Sequence, residues 1–258
     1  MILYKDYELS DALFDLPCKV GITNIYPTLL KDKKQFDKYC NYILLSKKHI
    51  NMPDTLDSTL KLIISYFVLV KKEENNNKKN DSLIHLEVIN ELENLFSIVC
   101  REKVTFEFND YKFEFKNDLG KVLINDDNFD EIRKVILKLN MLFEPKIYKS
   151  EIERKWDEKA IKAKMKSDKP TDFADILSVV ACTCHLPYSE IYELNTIQLY
   201  INYLRCINTE NTHMTQLAKT VCGDYKGVNF TDSVVDSLFK NPYDDIWKSN
   251  SGFLSNFM

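Results

Sequence analysis

The chain reads as an α+β protein, predominantly α-helical, with helical N- and C-terminal modules around a central antiparallel β-hairpin that packs on a helix. Three observations predict this. Apolar residues recur at spacings of three and four through most of residues 1–100 and 170–258, which is the helical period. Between those stretches, Val104 to Phe115 alternates apolar and polar side chains around Asn109-Asp110, which is the strand period broken by a hairpin turn. Glycine is scarce, with 5 in 258 residues, which disfavours Gly-rich phosphate loops and most small β-barrels. The predicted organisation is a helical N-terminal module (1–100), a hairpin-plus-helix unit (101–147), a charged connecting helix (148–169) and a helical C-terminal module (170–258).

In the first module, Phe36, Tyr39, Cys40, Ile43 and Leu44 line one face of a helix between about Lys33 and Lys47. A second helix after Asp54 carries Leu60, Ile63, Ile64, Phe67 and Val68. Lys71 to Ser82 holds no apolar residue, so nothing in it offsets the entropy of ordering, and it predicts a mobile loop. A third helix over about Leu83 to Val99 presents Leu86, Ile89, Leu92 and Phe96.

With Asn109 and Asp110 as a two-residue turn, Phe108 faces Tyr111, Phe106 faces Phe113 and Val104 faces Phe115, all on one side of the hairpin. Lys121 to Asn125 can add a third strand. A hairpin alone is marginal in water, so this aromatic face needs a helix against it. The following helix supplies one. Asp126 or Asp127 caps it, Asp130 and Glu131 complement its N-terminal dipole, and Lys134 and Lys138 its C-terminal end. Its apolar face is Phe129, Ile132, Val135, Ile136 and Leu139, and Pro145 closes the unit.

Lys149 to Lys169 carries eight basic and five acidic residues with a narrow stripe of Ile152, Trp156, Ala160 and Ala163. This reads as a solvated connecting helix or as a docking helix between modules. Beyond it the helices are expected in short pieces. Thr171 caps one bearing Phe173, Ile176, Leu177 and Val180. Asn195, three residues before Gln198, caps another with Ile197, Tyr200, Ile201, Leu204 and Ile207. A further piece ends near Gly223, and Val234, Val235, Leu238 and Phe239 mark the last.

Composition removes several function classes. The 35 basic and 39 acidic residues give a net charge of −4, without the basic surplus that phosphate contacts demand. Lys159, Lys162, Lys164, Lys166 and Lys169 cluster without interleaved aromatics, so no specific nucleic-acid partner is expected. The most apolar run, Leu62 to Val70, is nine residues long, where a membrane span needs roughly 20. No membrane partner is expected. The N-terminal segment lacks a basic stretch followed by an apolar core, and seven irregularly spaced cysteines read as reduced, buried thiols; both predict the cytoplasm.

Candidate chemistry is sparse. Cys182-Thr-Cys184-His185 offers thiolate and imidazole ligands, but a structural zinc site needs four, and residues two apart on a helix diverge. Packed thiols are the simpler reading. A cysteine nucleophile with His185 or His213 as base lacks an accompanying oxyanion loop. His49 and His85 flank helices and read as surface or capping groups. Asp126-Asp127 and Asp244-Asp245 could serve metal-assisted hydrolysis, yet both stand where helix starts want acids. No catalytic residue, metal or cofactor is therefore assigned. Trp156 on the connecting helix, and Trp247, Phe253, Leu254 and Phe257 in the aperiodic C-terminal segment, are the candidate partner-binding residues, although the C-terminal segment can also dock on its own core.

Three stretches carry a resemblance: INDDNFDEIRKVILKLNMLFEPKIYKSEIERKWDEKA from Ile124, IYELNTIQLYINYLRCI from Ile191, and NPYDDIWK from Asn241. Together they span roughly residues 104–248 and resemble the larger tail assembly chaperones and related tail-region proteins of bacteriophages from low-GC hosts. The resemblance implies a non-enzymatic role in the host cytoplasm. Such chaperones coat the aggregation-prone tail tape measure protein, bring tail tube protein subunits to it, and leave as the tube grows. The 100-residue helical N-terminal module departs from the smaller members of that group. It keeps open a structural virion protein of the tail, baseplate or neck; a Cys/His-dependent hydrolase using Cys182, Cys184 and His185 is the alternative of another class.

Overall fold

A computed structural model describes residues 2–3, 7–50, 52, 55–74, 81–109, 112–167 and 172–222. The chain divides into two compact units, residues 1–145 with 192–197, and residues 146–191 with 198–258. Helix predominates and the described strands form two three-stranded sheets, so the class is α+β and mainly helical.

The first unit opens with a small sheet that the mostly helical reading of the N-terminal module did not include. β1 (Ile2–Leu3) runs parallel to β2 (Cys18–Val20), which pairs antiparallel with β3 (Thr23–Ile25); α1 (Leu9–Leu13) lies between β1 and β2. Cys18, Val20, Thr23 and Ile25 are buried while Asn24 faces out. Three-residue strands are too short to register as alternation in the sequence. Gly21, at φ +58°, takes the first of two loop positions between β2 and β3, where a positive φ suits glycine.

The helices that follow are α2 (Leu30–Tyr39), α3 (Asn41–Leu44), α4 (Thr59–Glu74) and α5 (Asp81–Cys100). The single helix expected over 33–47 breaks at Cys40, with Phe36, Tyr39, Cys40 and Ile43 buried and Leu44 only half-buried. Lys71 to Glu74, expected as loop, belong to α4. Lys71 Nζ reaches Glu91 at 2.6 Å and Glu87 at 3.3 Å on α5, so charge pairing rather than burial holds that last turn. On α5 the buried stripe is Ile84, Val88, Leu92, Leu95, Phe96 and Val99. Leu86, expected on it, is exposed, and Ile89 is half-buried. The observed stripe steps by four, four, three and four from Ile84 to Val99, which fits a helix packed on both α2 and α4.

The hairpin is present with a different register. β4 (Val104–Asn109) pairs with β5 (Lys112–Asn117) so that Phe106 faces Phe115, Phe108 faces Phe113 and Val104 faces Asn117; the closing pair is Asn109–Lys112. Residues 110 and 111 between them lie outside the described set. The shift is two residues from the expected pairing, so every side chain keeps its face. Phe115 thereby lies 5.3 Å from Phe106 and 4.7 Å from Phe96 on α5, ring centre to ring centre. On the other face Glu107 stands opposite Glu114, and Lys116 Nζ bonds both, at 2.6 and 3.1 Å. β6 (Val122–Asn125) adds the third strand as expected.

The hairpin packs on α5 rather than, as the sequence predicts, on the helix that follows it. That helix, α6 (Phe129–Leu139), meets β6 and, in the other sheet, β2 and β3, with Phe129, Ile132, Val135, Ile136 and Leu139 all buried as predicted. Its cap was misplaced. Asn128 holds the N-cap position, and Asp126 instead accepts from Ser58 Oγ and, at 3.3 Å, from the Phe113 N–H. Asp126 thus ties the start of α4 to β5. Arg133 of α6 is buried, donating from Nη1 to the Ile43 carbonyl at 2.8 Å and from Nη2 to Glu144.

Residues 192–197 belong to this first unit. The Leu30 and Lys31 N–H groups donate to the Leu194 and Tyr192 carbonyls at 2.9 and 3.1 Å, and the Thr196 N–H to Thr28 at 3.0 Å. Asn195, expected as a helix cap, stands immediately before the helix that starts at Thr196; it is buried and donates its amide Nδ2 to the Ala12 carbonyl at 2.8 Å.

The second unit holds α7 (Glu151–Ser167), α8 (Phe173–Cys184), α9 (Tyr188–Ile191) and most of α10 (Thr196–Cys222). Asp172, rather than Thr171, caps α8, accepting from the Ala174 N–H at 3.2 Å; Thr171 lies outside the described residues. α10 runs unbroken for 27 residues where short pieces were expected. Along its polar stretch Thr209, Thr212, Thr215 and Thr220 each return their hydroxyl to the carbonyl four residues back, at 2.7–2.9 Å, so these hydroxyls are satisfied within the helix. The expected last helix around Val234 and Phe239 lies outside the described residues.

Candidate protein-binding surface

The surface is built on α7. The sequence gives this helix a stripe of Ile152, Trp156, Ala160 and Ala163, which in a globular helix would face the core. In the structure the two large residues of that stripe face out. Ile152 is 69% exposed and Trp156 66%, whereas Asp157 is 4% exposed. Asp157 is tolerated inside because it accepts from the Tyr148 hydroxyl at 2.8 Å and lies 3.5 Å from Lys146 Nζ. The bond to the Asp157 carboxylate, with a smaller contribution from burial, pushes the Tyr148 phenol up to about 12. Anchoring Asp157 fixes the rotation of the helix and leaves the Trp156 ring outward, with Lys159 Nζ 5.7 Å from its centre.

A second apolar row runs along α10. Met214, Leu217 and Val221, spaced by three and four, are all largely exposed. Asn, Thr, Glu and Gln surround this row in the sequence, so the three-four spacing is its only signal there.

The remaining predicted residues fall elsewhere. Trp247, Phe253, Leu254 and Phe257, with Asp244, Asp245 and Lys169, lie outside the described residues. Cys182 and Cys184 are exposed at the end of α8 rather than packed as expected, while Cys18, Cys40, Cys100 and Cys206 are buried as expected. His185 ends α8 in the left-handed region, φ 54°, with its N–H on the Ala181 carbonyl. Cys184 Sγ lies 3.9 Å from Cys206 Sγ on α10, and partial burial followed by that contact raises the Cys184 thiol above its ordinary value. Among the described residues, no three His, Cys, Asp or Glu side chains gather where they could hold a metal ion. His49 is a positioning group: its Nε2 lies 2.7 Å from the Pro145 carbonyl, so Nε2 carries the proton and Nδ1 accepts from the Ser46 N–H at 3.1 Å.

Among the described residues, no helix is long and apolar enough to cross a membrane. Over 129 residues the chain is 30% identical to the SPbeta prophage-derived uncharacterized protein YomV of Bacillus subtilis (strain 168), a match that covers 47% of this chain and 53% of that protein. It is similar to a prophage protein. The chain spans about half the length of that relative. No family model matches the chain, and no solved structure does.

Proposed function

We propose that the chain is a bacteriophage protein that acts by binding other proteins, as a tail assembly chaperone that holds the tail tape measure protein and recruits tail tube subunits to it. The observation that carries the binding role is the outward face of α7, where Ile152 and Trp156 stand exposed on a helix whose rotation is fixed from behind by Asp157. A soluble helix presents such a face at a cost unless something covers it. Burial of apolar area contributes about 25 cal/mol per Å², so a Trp and an Ile add a few kcal/mol. That is enough to retain a long helical client through several contacts and weak enough to release it to the polymerising tube. The prophage relative supports the phage setting, and the tail client rests on the resemblance of the stretches from Ile124, Ile191 and Asn241.

Co-expression with the tape measure protein of the same phage tests this reading. Recovery of a soluble complex with the native chain, and its loss with Ile152→Asp/Trp156→Asp, is the expected result. Mass spectrometry of purified particles separates the runner-up. Abundant copies of this chain in finished virions would replace the chaperone with a structural tail, baseplate or neck protein.

A further inference from the structure

A cleft of about 390 Å³ in the first unit has no role in the reading above. Its charged lining is Lys47, Lys48, Arg133 and Lys134 against Asp130 and Glu144. Both carboxylates are engaged: Asp130 accepts from Thr59 Oγ1 at 2.8 Å, and Glu144 accepts from Arg133 Nη2. Lys47 Nζ donates to the Thr55 carbonyl at 3.3 Å. Among the described residues, neither Lys48 nor Lys134 has an ion pair. The cleft therefore carries an uncompensated positive charge.

Arg133 is what turns a basic patch into a built site. Its side chain is 2% exposed, and its Nη1 is spent on the Ile43 carbonyl. Nε and Nη2 share the other edge of the guanidinium plane, the edge that grips two oxygens of one anion in parallel. Here that edge is half used. Glu144 places Oε1 on Nη2, while Nε is buried without any hydrogen-bond partner. An orphaned charged donor in a buried position costs free energy that a two-oxygen ligand would recover. Glu144 sits beyond the end of α6, outside helix and strand, and is itself 41% exposed, so it can swing to solvent with little loss.

We propose that this cleft binds a small phosphate-class oxyanion on the Nε/Nη2 edge of Arg133, with Glu144 displaced and Lys47, Lys48 and Lys134 supplying the counter-charge. A dianionic tetrahedral group suits the site better than a carboxylate. It fills the two-pronged edge and still has oxygens for the lysines, and its second charge answers the excess of cations. The free anion and the phosphoryl group of a small metabolite share this chemistry. The inference does not depend on the protein-binding role of α7, which lies in the other unit.

Isothermal titration calorimetry of the full chain with inorganic phosphate and, separately, with a nucleoside monophosphate tests it at low, fixed ionic strength, since salt screens the rim lysines. Saturable 1:1 binding of phosphate is expected. Glu144→Gln should tighten it roughly tenfold by removing the internal competitor, and Lys48→Ala/Lys134→Ala should weaken it roughly tenfold while leaving the fold intact. A monophosphate binding tenfold more tightly than phosphate would support the site and assign it to a phosphorylated metabolite; equal affinities would support it for the free anion. Arg133→Ala is not needed, since the buried side chain also ties α6 to α3. Absence of binding by both probes at millimolar concentration, or binding that ignores Glu144→Gln and the lysine pair, would overturn the proposal.

Discussion

The side-chain amide of Asn195 donates to the carboxylate of Asp15, 3.0 Å away and 180 residues earlier in the chain. Asp15 takes a left-handed backbone, φ 57°, and is also gripped by both Nη groups of Arg101. Asn195 is fully buried, so its amide is the local substitute for water around Asp15 and the Ala12 carbonyl. Asn195→Ala leaves those acceptors short of a donor and should lower stability by about 1–3 kcal/mol, read from the urea midpoint. Asn195→Asp brings a second carboxylate to Asp15 and should cost more, with partial recovery on acidification.

Trp156 offers the opposite case. Because its ring is exposed, Trp156→Ser should leave stability within about 0.5 kcal/mol of the parent chain. If the ring is the central anchor for a client, the same change should weaken the complex by about 2 kcal/mol, roughly thirtyfold in Kd. Thermal melts and a binding titration on one preparation give both numbers. A destabilised variant would mean that Trp156 packs inward.

These two residues also mark how far the sequence could be read. Strong local periodicity was sufficient for α6, whose five predicted core residues are all buried, and for the faces of the hairpin strands. The pairing of β4 and β5 was legible only modulo two residues. Whether Phe108–Tyr111 or Asn109–Lys112 closes the hairpin is not decided by alternation, which both satisfy; the observed pairing goes with Phe115 meeting Phe96 on another element. α7 reads from the sequence as a solvated or docking helix with Trp156 as a partner-binding candidate, but pattern has no means of knowing that Tyr148 and Lys146 would make Asp157 its buried residue. The sheet of β1, β2 and β3 depends on strands of two or three residues, below the length at which alternation carries information. The Arg133 cleft has no sequence signature, since it joins residues of α6 with Lys47 and Lys48, more than 80 positions earlier.

Two buried thiols predict the alkaline limit of the fold. Burial pushes Cys18 up to about 11 and Cys100 up to about 12, from an ordinary value near 9.0. The folded chain keeps these protons while the unfolded chain releases them, so ν is larger in the folded state across that window. Their contribution is fully present below pH 9 and is lost as pH rises through 11 to 12. For Cys18 it amounts to about 3 kcal/mol. Urea midpoints between pH 8 and 11.5 should fall accordingly, and Cys18→Ala should flatten the slope.

Thiol accessibility gives a direct check on α8. In the native chain a maleimide probe should label Cys182 within minutes. Cys18, Cys40, Cys100 and Cys206 are buried and should react only on unfolding. Peptide mapping by mass spectrometry reads the order. Early labelling of Cys100 would contradict the packing of α5.

Lys116 tests the hairpin register itself. In the observed pairing Glu107 and Glu114 are cross-strand neighbours, an arrangement that is destabilising unless a cation joins them. Lys116 does so from the same strand as Glu114, and its bond lowers the Glu114 carboxyl below its ordinary value while both glutamates raise the lysine. In the register expected from an Asn109-Asp110 turn, Glu107 would face Lys112 and Glu114 would face Thr105, and Lys116 would have no such duty. Lys116→Met should therefore lower the Tm at pH 7. The depressed Glu114 pKa means that its contribution exists above the ordinary carboxylate range and disappears as pH falls through it, so the deficit should close in acid. At the other end the raised lysine holds the bridge until pH passes the ordinary lysine range. A second change, Glu107→Gln on the Lys116→Met background, should restore most of the lost Tm at pH 7 by removing the repulsion. A deficit that is the same at pH 3 and pH 7, and that Glu107→Gln leaves unrelieved, would show that the two glutamates do not face each other and that the strands pair in the other register.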